Sequence, residues 1–492
     1  MIKFKKGLWA AILLLAIPFS TVGQEKEIVE ATAYRIEAFG SAATGSNTPF
    51  WMASNRYGIV PLDAGNGYLE AGVFHHRSFG KGFHWSAGLE LAGASPRYKK
   101  VFIQQLYANL SYKVLQLSIG SQERYASLWD RDLGSGDLVQ SSNARPIPEI
   151  NLSFPRFVTI PLTNGWLHFK GDFAVGRSFD TDYLRDFSNA AQVYSKDVLW
   201  HHKSLLLKIN DSYGSLPLSF TFGVRHWAQW GGDHLKNGKQ PQSLKDFARI
   251  VLGREGGAGA TQSDQVNVLG NHFGTYDFKL SYTQEDWAAH AYYQHYFDDK
   301  SGMEFKNKTD GLWGLELQTG CFPWLRKVVL EYVDTRDQSG PFHFINFDRT
   351  QHSGRGGGSD NYYNNGEYTT GVSYFNRSLG SPLVLSPEYN EGGQLGFPNN
   401  RIKDWHIGLE GSLSGAFSYR FLLTLMNSWG QHATPFLQKK EATACLLDIN
   451  YQPSRLRGWN FKGSFAVDQG KMLGNSAGFS LSVSKRGLLK EW

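Results

Sequence analysis

The feature that most limits what this chain can fold into is a two-residue alternation of apolar and polar side chains. It recurs in runs of about ten residues, with no apolar stretch of about twenty beyond the N-terminus. Phe83, Trp85, Ala87, Leu89 and Leu91 alternate with His84, Ser86, Gly88 and Glu90. Leu167, Phe169, Phe173 and Val175 alternate in the same way with His168, Lys170 and Asp172, and Leu218, Phe220, Phe222 and Val224 with Ser219, Thr221 and Arg225. The pattern returns at Tyr276–Tyr282 and at Phe417–Leu425. Successive residues of a strand point to opposite faces, so each run builds one apolar and one charged face. Each has the length of a tilted membrane strand. The 33 Phe, 23 Tyr and 15 Trp beside 54 Gly suit strands, since aromatics pack well on a pleated surface. With 17 Pro and 19 % charged residues, the chain is neither collagen-like nor disordered.

A soluble sandwich alternates too, so connector length decides. Short connectors are read at Ser78–Gly82, near Lys113, and at Pro161–Gly165, Asp211–Leu216, Gln284–Asp286, Phe322–Arg326, Ser414–Ala416 and Pro453–Gly458. Long ones lie between them, at Gly40–Asn66, Gln122–Ile147, Arg177–Asp197, Trp230–Gly270, Asp298–Gly311, Arg336–Gly366, Glu388–Asn400 and Trp429–Glu441. Parity requires Pro148–Ile160 to be a strand with Pro155 at a bulge, and a further short strand near Pro382–Ser386. The expected fold class is all-β, an antiparallel transmembrane outer-membrane β-barrel of about eighteen strands, with short periplasmic turns and long extracellular loops. One barrel domain then spans residues 24–492. Trp492 falls out of phase with Phe479, Leu481 and Val483, which suits a turn or an interfacial anchor there.

Lys3, Lys5 and Lys6, the apolar run Leu8–Phe19 and the small residues Thr21 and Gly23 read as a signal peptide over residues 1–23, cleaved before Gln24. Export to the outer membrane of a Gram-negative cell follows. Removing those lysines lowers the formal charge from +6 to +3. No block of like charge remains, so no nucleic-acid partner is expected. Cys321 and Cys445 have no zinc-type spacing and read as small apolar residues, with one disulfide left open.

Motifs for catalysis are weak. His75–His76 and His201–His202 are consecutive strand residues and face opposite ways, so neither pair chelates an ion. The runs GREGGAG from Gly253 and GRGGG from Gly354 match no nucleotide loop and read as loop tips. No GxSxG elbow and no outstanding carboxylate pair is present, so no enzyme activity, cofactor or metal is expected. The long connectors do gather Trp, Tyr, Asn, Asp and Arg. Aromatic faces cover the C–H face of a sugar, and planar amide, guanidinium and carboxylate groups bond its hydroxyls. The candidate polysaccharide contacts are Trp51, Asn55, Arg56, Tyr57, Arg124, Tyr125, Trp129, Arg145, Trp230 and His234, with Asp233 and Asn361–Asn365 in similar company. An interfacial girdle and ordinary loop packing account for the same residue types.

Four strings in order carry a family resemblance: NTPFWMASNRYG from Asn47, SSNARPIPEI from Ser141, LWHHKSLLL from Leu199 and LGNHFGTYDF from Leu269. Together they resemble the Wzi capsule-assembly family in its Bacteroidetes-type form, over essentially the whole mature chain. The resemblance implies an eighteen-stranded outer-membrane lectin that helps attach capsular or exopolysaccharide to the cell surface and is not an enzyme. Its partners are then capsular or extracellular polysaccharide, outer-membrane lipid and polysaccharide-export machinery. The best-known enterobacterial form carries a periplasmic helical bundle, for which Gln24–Ala33 is too short. The alternative is a porin or solute channel with Lys170, Arg225 and Lys279 along its path. A helix near Leu244–Leu252 in the Trp230–Gly270 connector would then be an inward-folding plug.

Overall fold

The computed structural model describes residues 30–98, 100–126, 128–211, 216–266, 268–342 and 358–491. The expected signal peptide, Trp492, residues 212–215 of one turn and nearly all of the GRGGG run lie outside the described residues. Eighteen strands form one antiparallel sheet. In chain order they are β1 (Glu30–Asn47), β2 (Asp63–Ser78), β3 (Phe83–Ser95), β4 (Phe102–Tyr112), β5 (Leu115–Ser121) and β6 (Glu149–Thr159). Then come β7 (Leu167–Arg177), β8 (Leu199–Asn210), β9 (Leu218–Trp230), β10 (Asn271–Thr283), β11 (Trp287–Phe297) and β12 (Gly311–Thr319). The last six are β13 (Lys327–Asp334), β14 (Lys403–Ser412), β15 (Phe417–Gly430), β16 (Pro435–Tyr451), β17 (Trp459–Gln469) and β18 (Ser476–Glu491). Each pairs with its sequence neighbours, and β1 closes on β18 through pairs such as Phe39↔Ser482 and Ala43↔Gly478. Closure leaves no sheet edge, as a hydrocarbon environment demands.

Side-chain phase follows the alternation in the sequence. Leu89, Leu110, Leu205, Leu280, Leu315 and Phe465 stand exposed on the outer face, whereas Glu90, Asp277, Glu331 and Asp448 are buried in the lumen. Among the described residues no helix is long and apolar enough to cross a membrane. Among the described residues, the expected short turns join hairpins at one end of the barrel. Pro155 sits in the register break between Phe154 and Val158, where a residue without an N–H removes no ladder bond.

Two expectations need correction. Pro382–Ser386 is not a strand: Leu383 and Val384 are fully buried in the lumen as loop, held through Ser381 Oγ on the Ser135 carbonyl (3.3 Å). Eighteen strands are reached instead because Ser95 and Phe102, and Gln469 and Ser476, are separated by connections too short to carry a loop composition. The connector at Trp429–Glu441 also shrinks to 431–434, because β15 and β16 run past the rest of the wall.

The helix at Leu244–Leu252 forms as expected, with a Ser243/Asp246 capping box and Gly253 at its end in the left-handed region (φ 58°). It does not fold inward. Phe247 lies 5.3 Å from Trp230, 5.5 Å from His201 and 6.2 Å from Phe173, so the helix covers the outer face of β7–β9.

Leu315 lies midway along β12 and is 57 % exposed on the outer face. Leu315→Arg is expected to destabilise the bilayer-inserted barrel by about 2–4 kcal/mol, measured as a shift in urea-dependent folding into vesicles.

Candidate functional site

A sheet of eighteen strands encloses a lumen that wall side chains cannot fill. Here the described residues of the connectors, 48–62, 122–126, 128–148, 335–342 and 358–402, turn inward and fill it. Their apolar residues, including Phe50, Trp51, Leu133, Leu138, Tyr362, Tyr363, Leu383 and Phe397, form one cluster with inward wall residues such as Leu312, Val329 and Leu422. The barrel therefore has a packed interior made of loop.

Polar wall residues dock this filling. Asp137 is the hub: its carboxylate accepts from Trp129 Nε1 (2.6 Å), Arg225 Nη2 (2.5 Å), Gln294 Nε2 (3.0 Å) and the backbone N–H groups of Val139 (2.8 Å) and Gln140 (2.7 Å). Arg225 also donates through Nε to Asp277 (2.5 Å) on β10. Burial pushes the Asp137 carboxyl up, but Arg225 outweighs that and holds it below the usual carboxylate range. Lower in the lumen, Lys279 Nζ donates to the Leu128 carbonyl (2.5 Å), Lys327 Nζ to Asp130 (2.6 Å) and Arg420 Nη1 to the Asp132 carbonyl (2.9 Å). His406 bonds the Leu133 carbonyl (2.7 Å), and a Cβ at Gly408 would collide with that same carbonyl. Similarly, Gly314 leaves the room into which the Tyr292 ring lies, with Tyr292 OH on Glu331 (2.6 Å). Connector 122–148 thus reaches from the extracellular rim to the periplasmic ends of β13–β15.

Most expected contact residues are engaged in packing, Trp230 on the outer face and others in the lumen. Trp51 is 2 % exposed, donates Nε1 to Thr424 Oγ1 (2.9 Å) and lies 5.0 Å from His406. Trp129 is 8 % exposed, 4.8 Å from Tyr292. The Arg145 guanidinium lies between Phe102 (4.1 Å) and Phe375 (4.2 Å) and donates to the Ile103 carbonyl (2.8 Å). Arg124 pairs with Glu149. Trp230 is buried beneath the outer helix, and the buried His234 accepts from the Asn237 N–H (2.9 Å). In this conformation Trp51, Trp129 and Trp230 offer no open ring face. Asn361–Asn365 likewise contributes the fully buried Tyr362 and nearly buried Tyr363.

The structure does bring Asn55, Arg56 and Tyr57 together, around a cavity of about 370 Å³ at the periplasmic half of the lumen. Arg131 lines it too and stands 5.2 Å over the ring of Tyr125. Arg35, Arg420 and Lys462 face Glu37, Glu70 and Asp448 across it. Arg56 donates to Tyr68 OH (3.0 Å), which donates to Glu37 (2.7 Å). Among the described residues, Glu70, Glu90 and Glu123 are the carboxylates close enough together to share one ion. Arg35 already occupies them, at 2.8 and 2.9 Å from Glu90 and 3.4 Å from Glu70.

At the extracellular end, two adjoining clefts share Lys239 and Gln242. One holds about 280 Å³ between Arg177, Asp197, Asp233 and Lys239, the other about 600 Å³ beside Ser243, Lys245, Asp246 and Arg249. Of the residues missed by reading the loops alone, Asp277, Glu331 and Gln294 had one sequence signal, a polar or charged residue in the inward phase of a strand, and Asp137, between Gly136 and Leu138 in its connector, had none.

Comparison with known proteins bears on this arrangement. The family model described as capsule assembly protein Wzi matches residues 30–384. The chain belongs to the Wzi capsule-assembly family. Among solved structures, this Wzi-family barrel is similar to Escherichia coli Wzi, described as an outer membrane protein involved in group 1 capsule assembly and a carbohydrate-binding β-barrel. The TM-score is 0.55 at 13 % identity, covering 92 % of this chain and 83 % of that one. Two Pseudomonas aeruginosa barrels align less well. OpdQ does so at TM-score 0.46 and 10 % identity over 94 % of this chain and 100 % of its own. OccK2 (OpdF), solved with glucuronate, does so at 0.46 and 10 % over 94 % and 98 %. No curated protein sequence matches. Family and fold together place the Wzi-family chain in the outer membrane.

Two outcomes are expected. Arg225→Met leaves Asp137 and Asp277 buried without their cation, at a cost of about 3–5 kcal/mol. Connector 122–148 should then become protease-sensitive, and planar-bilayer conductance, near silent for the wild type, should rise. Burial also raises the loop carboxyls of Asp310 and Asp360, each to about 7. A raised carboxyl favours the folded loop below its unfolded value near 4, and that contribution is lost as pH rises through about 7. Asp310 accepts from the Asp337 (3.1 Å) and Gln338 (2.8 Å) N–H groups, and Ser339 donates to Asp360 (2.8 Å). Amide exchange at 337–340, corrected for intrinsic rate, should be more protected at pH 6 than at pH 8.

Proposed function

We propose that this Wzi-family barrel binds capsular or extracellular polysaccharide at the cell surface and helps hold the capsule there, acting by binding and not by catalysis. The observation that carries the reading is the packed lumen. A barrel whose interior is packed with its own connectors, and locked by Asp137 and Arg225, is better suited to presenting its extracellular face than to conducting solutes. The same packing counts against the porin reading, because Arg225 and Lys279 are engaged in docking the plug.

Among the expected contacts, the buried ones hold up the platform from below. The surface groups for a saccharide are those of the adjoining extracellular clefts, where Arg177, Lys239, Gln242, Lys245 and Arg249 lie with Asp197, Asp233 and Asp246. These are planar or cationic donors mixed with carboxylate acceptors, the set that bonds vicinal hydroxyls and acidic sugars. Each contact is weak, and a repeating polymer supplies many. The polysaccharide-export machinery that delivers the polymer is the further partner of this reading.

Lys239→Ala, Gln242→Ala and Lys245→Ala together are expected to move polysaccharide from the cell-bound to the released fraction, with the barrel still inserted and heat-modifiable on gels. Deletion of the gene should do so more completely. Unchanged cell-bound polymer in the deletion strain would refute the function, and in the triple variant alone would refute the clefts as its site.

A further inference from the structure

The outer face of the barrel is not uniform. Tyr293, Trp313, Tyr332 and Trp405 stand on four successive strands, β11 to β14, and are direct cross-strand partners. Tyr293 stacks on Trp313 at 3.9 Å, and Tyr332 lies 4.8 Å from Trp405. Trp313 is 41 % and Trp405 47 % exposed. All four lie toward the extracellular ends of their strands and point away from the lumen, since Leu312, Val333 and Asp404 beside them are buried inward. Such a row of amphipathic rings marks the membrane–water interface.

Immediately beyond that row comes positive charge. Lys403, two residues further out than Trp405, holds its ammonium 5.9 Å over Tyr332. Arg336 and Lys439 lie 5.1 and 5.8 Å over Trp429 on β15. Arg401 donates Nε to the Arg336 carbonyl (3.2 Å), which joins the groups into one strip. Among the described residues, two of these four cations are ion-paired, Arg336 with Asp334 (2.9 and 2.7 Å) and Lys439 with Glu441 (2.5 Å), and Asp310 acts on Arg336 and Arg401 through space. Among the described residues, Arg401 and Lys403 are thus left outside any ion pair at headgroup depth.

We propose that this strip is a docking site for a phosphorylated glycolipid of the outer leaflet, with acyl chains against the aromatic row and phosphate against Arg401 and Lys403. Rings at the acyl boundary and cations one step outward match a lipid with an anionic head, and neither a zwitterionic head nor a free anion needs both. A cation near an anionic surface strengthens binding about fivefold. The site lies on the outside of the barrel and is independent of the polysaccharide reading.

The test uses the purified full-length barrel in detergent, with native mass spectrometry and vesicle flotation. The probes are phosphatidylcholine vesicles carrying lipid A or its enzymatically dephosphorylated form, and inorganic phosphate alone. The wild type is expected to retain lipid A through detergent exchange and to lose the dephosphorylated lipid, with no competition from inorganic phosphate. Arg401→Gln with Lys403→Gln should weaken retention about 25-fold. Lys81→Gln with Lys113→Gln, at the periplasmic turns, should leave it unchanged. Equal retention of both lipid forms by the wild type would overturn the proposal, and that comparison needs no variant to fold. Competition by inorganic phosphate, or an equal effect from the periplasmic pair, would overturn it as well.

Discussion

Closing a β-sheet inside a membrane satisfies every ladder bond but fixes the width of what it encloses, and that width is the constraint on which the rest of this structure depends. At eighteen strands, inward side chains from opposite walls do not meet. An unfilled lumen would be a water channel lined by Glu90, Asp277, Glu331 and Asp448. The chain instead spends three connectors on the interior, and the charged inward phase of the strands becomes a set of sockets for backbone groups of those connectors. Glu331 takes the Ser135 N–H (2.6 Å) and Gln294 the Leu138 N–H (2.7 Å). A loop buried in a lumen has backbone groups that need partners, and a polar wall supplies them.

This division of labour explains why one residue, Asp137, gathers five donors. Its connector turns there, and the turn brings backbone N–H groups and the Trp129 indole to the same carboxylate that Arg225 reaches from the wall. A charge so bonded tolerates burial, whereas the same carboxylate without its cation would not. Arg225 in turn answers both Asp137 and Asp277, so the plug's fixation and the wall's own neutralisation are one interaction. The filling is a part of the fold and not an appendage to it.

The architecture was legible in the sequence because period-2 alternation survives in nearly every strand, and because short turns leave a gap that no strand can hide. Pro155 and the Leu244–Leu252 helix were legible for the same local reasons: a missing N–H, and a capping box followed by glycine. The direction in which each connector folds was not. The contacts that decide it join residues as distant as Leu133 and His406, or Ser141 and Leu379, and no local pattern encodes such pairs. The Leu244–Leu252 helix, in the connector that looked the natural plug, goes outward because Phe247 finds Trp230, His201 and Phe173 on the outer face. The Pro382–Ser386 run, apolar enough for a strand, goes inward because the lumen offers it a dry place.

The same ambiguity bears on the reading of aromatic residues beside arginine and asparagine. A ring covered by a guanidinium, with amides at its edge, is the chemistry that captures a sugar, and it is also the chemistry that packs a polar interior. Arg145 between Phe102 and Phe375 satisfies both descriptions, and burial alone separates them. In a filled barrel the second use comes first, because the aromatic payload of the connectors is what excludes water from the lumen. Capture then falls to groups left at the rim, where side chains are hydrated, individually weak and numerous. Such a surface suits a polymer that presents the same motif many times, for which avidity compensates for the absence of a deep pocket.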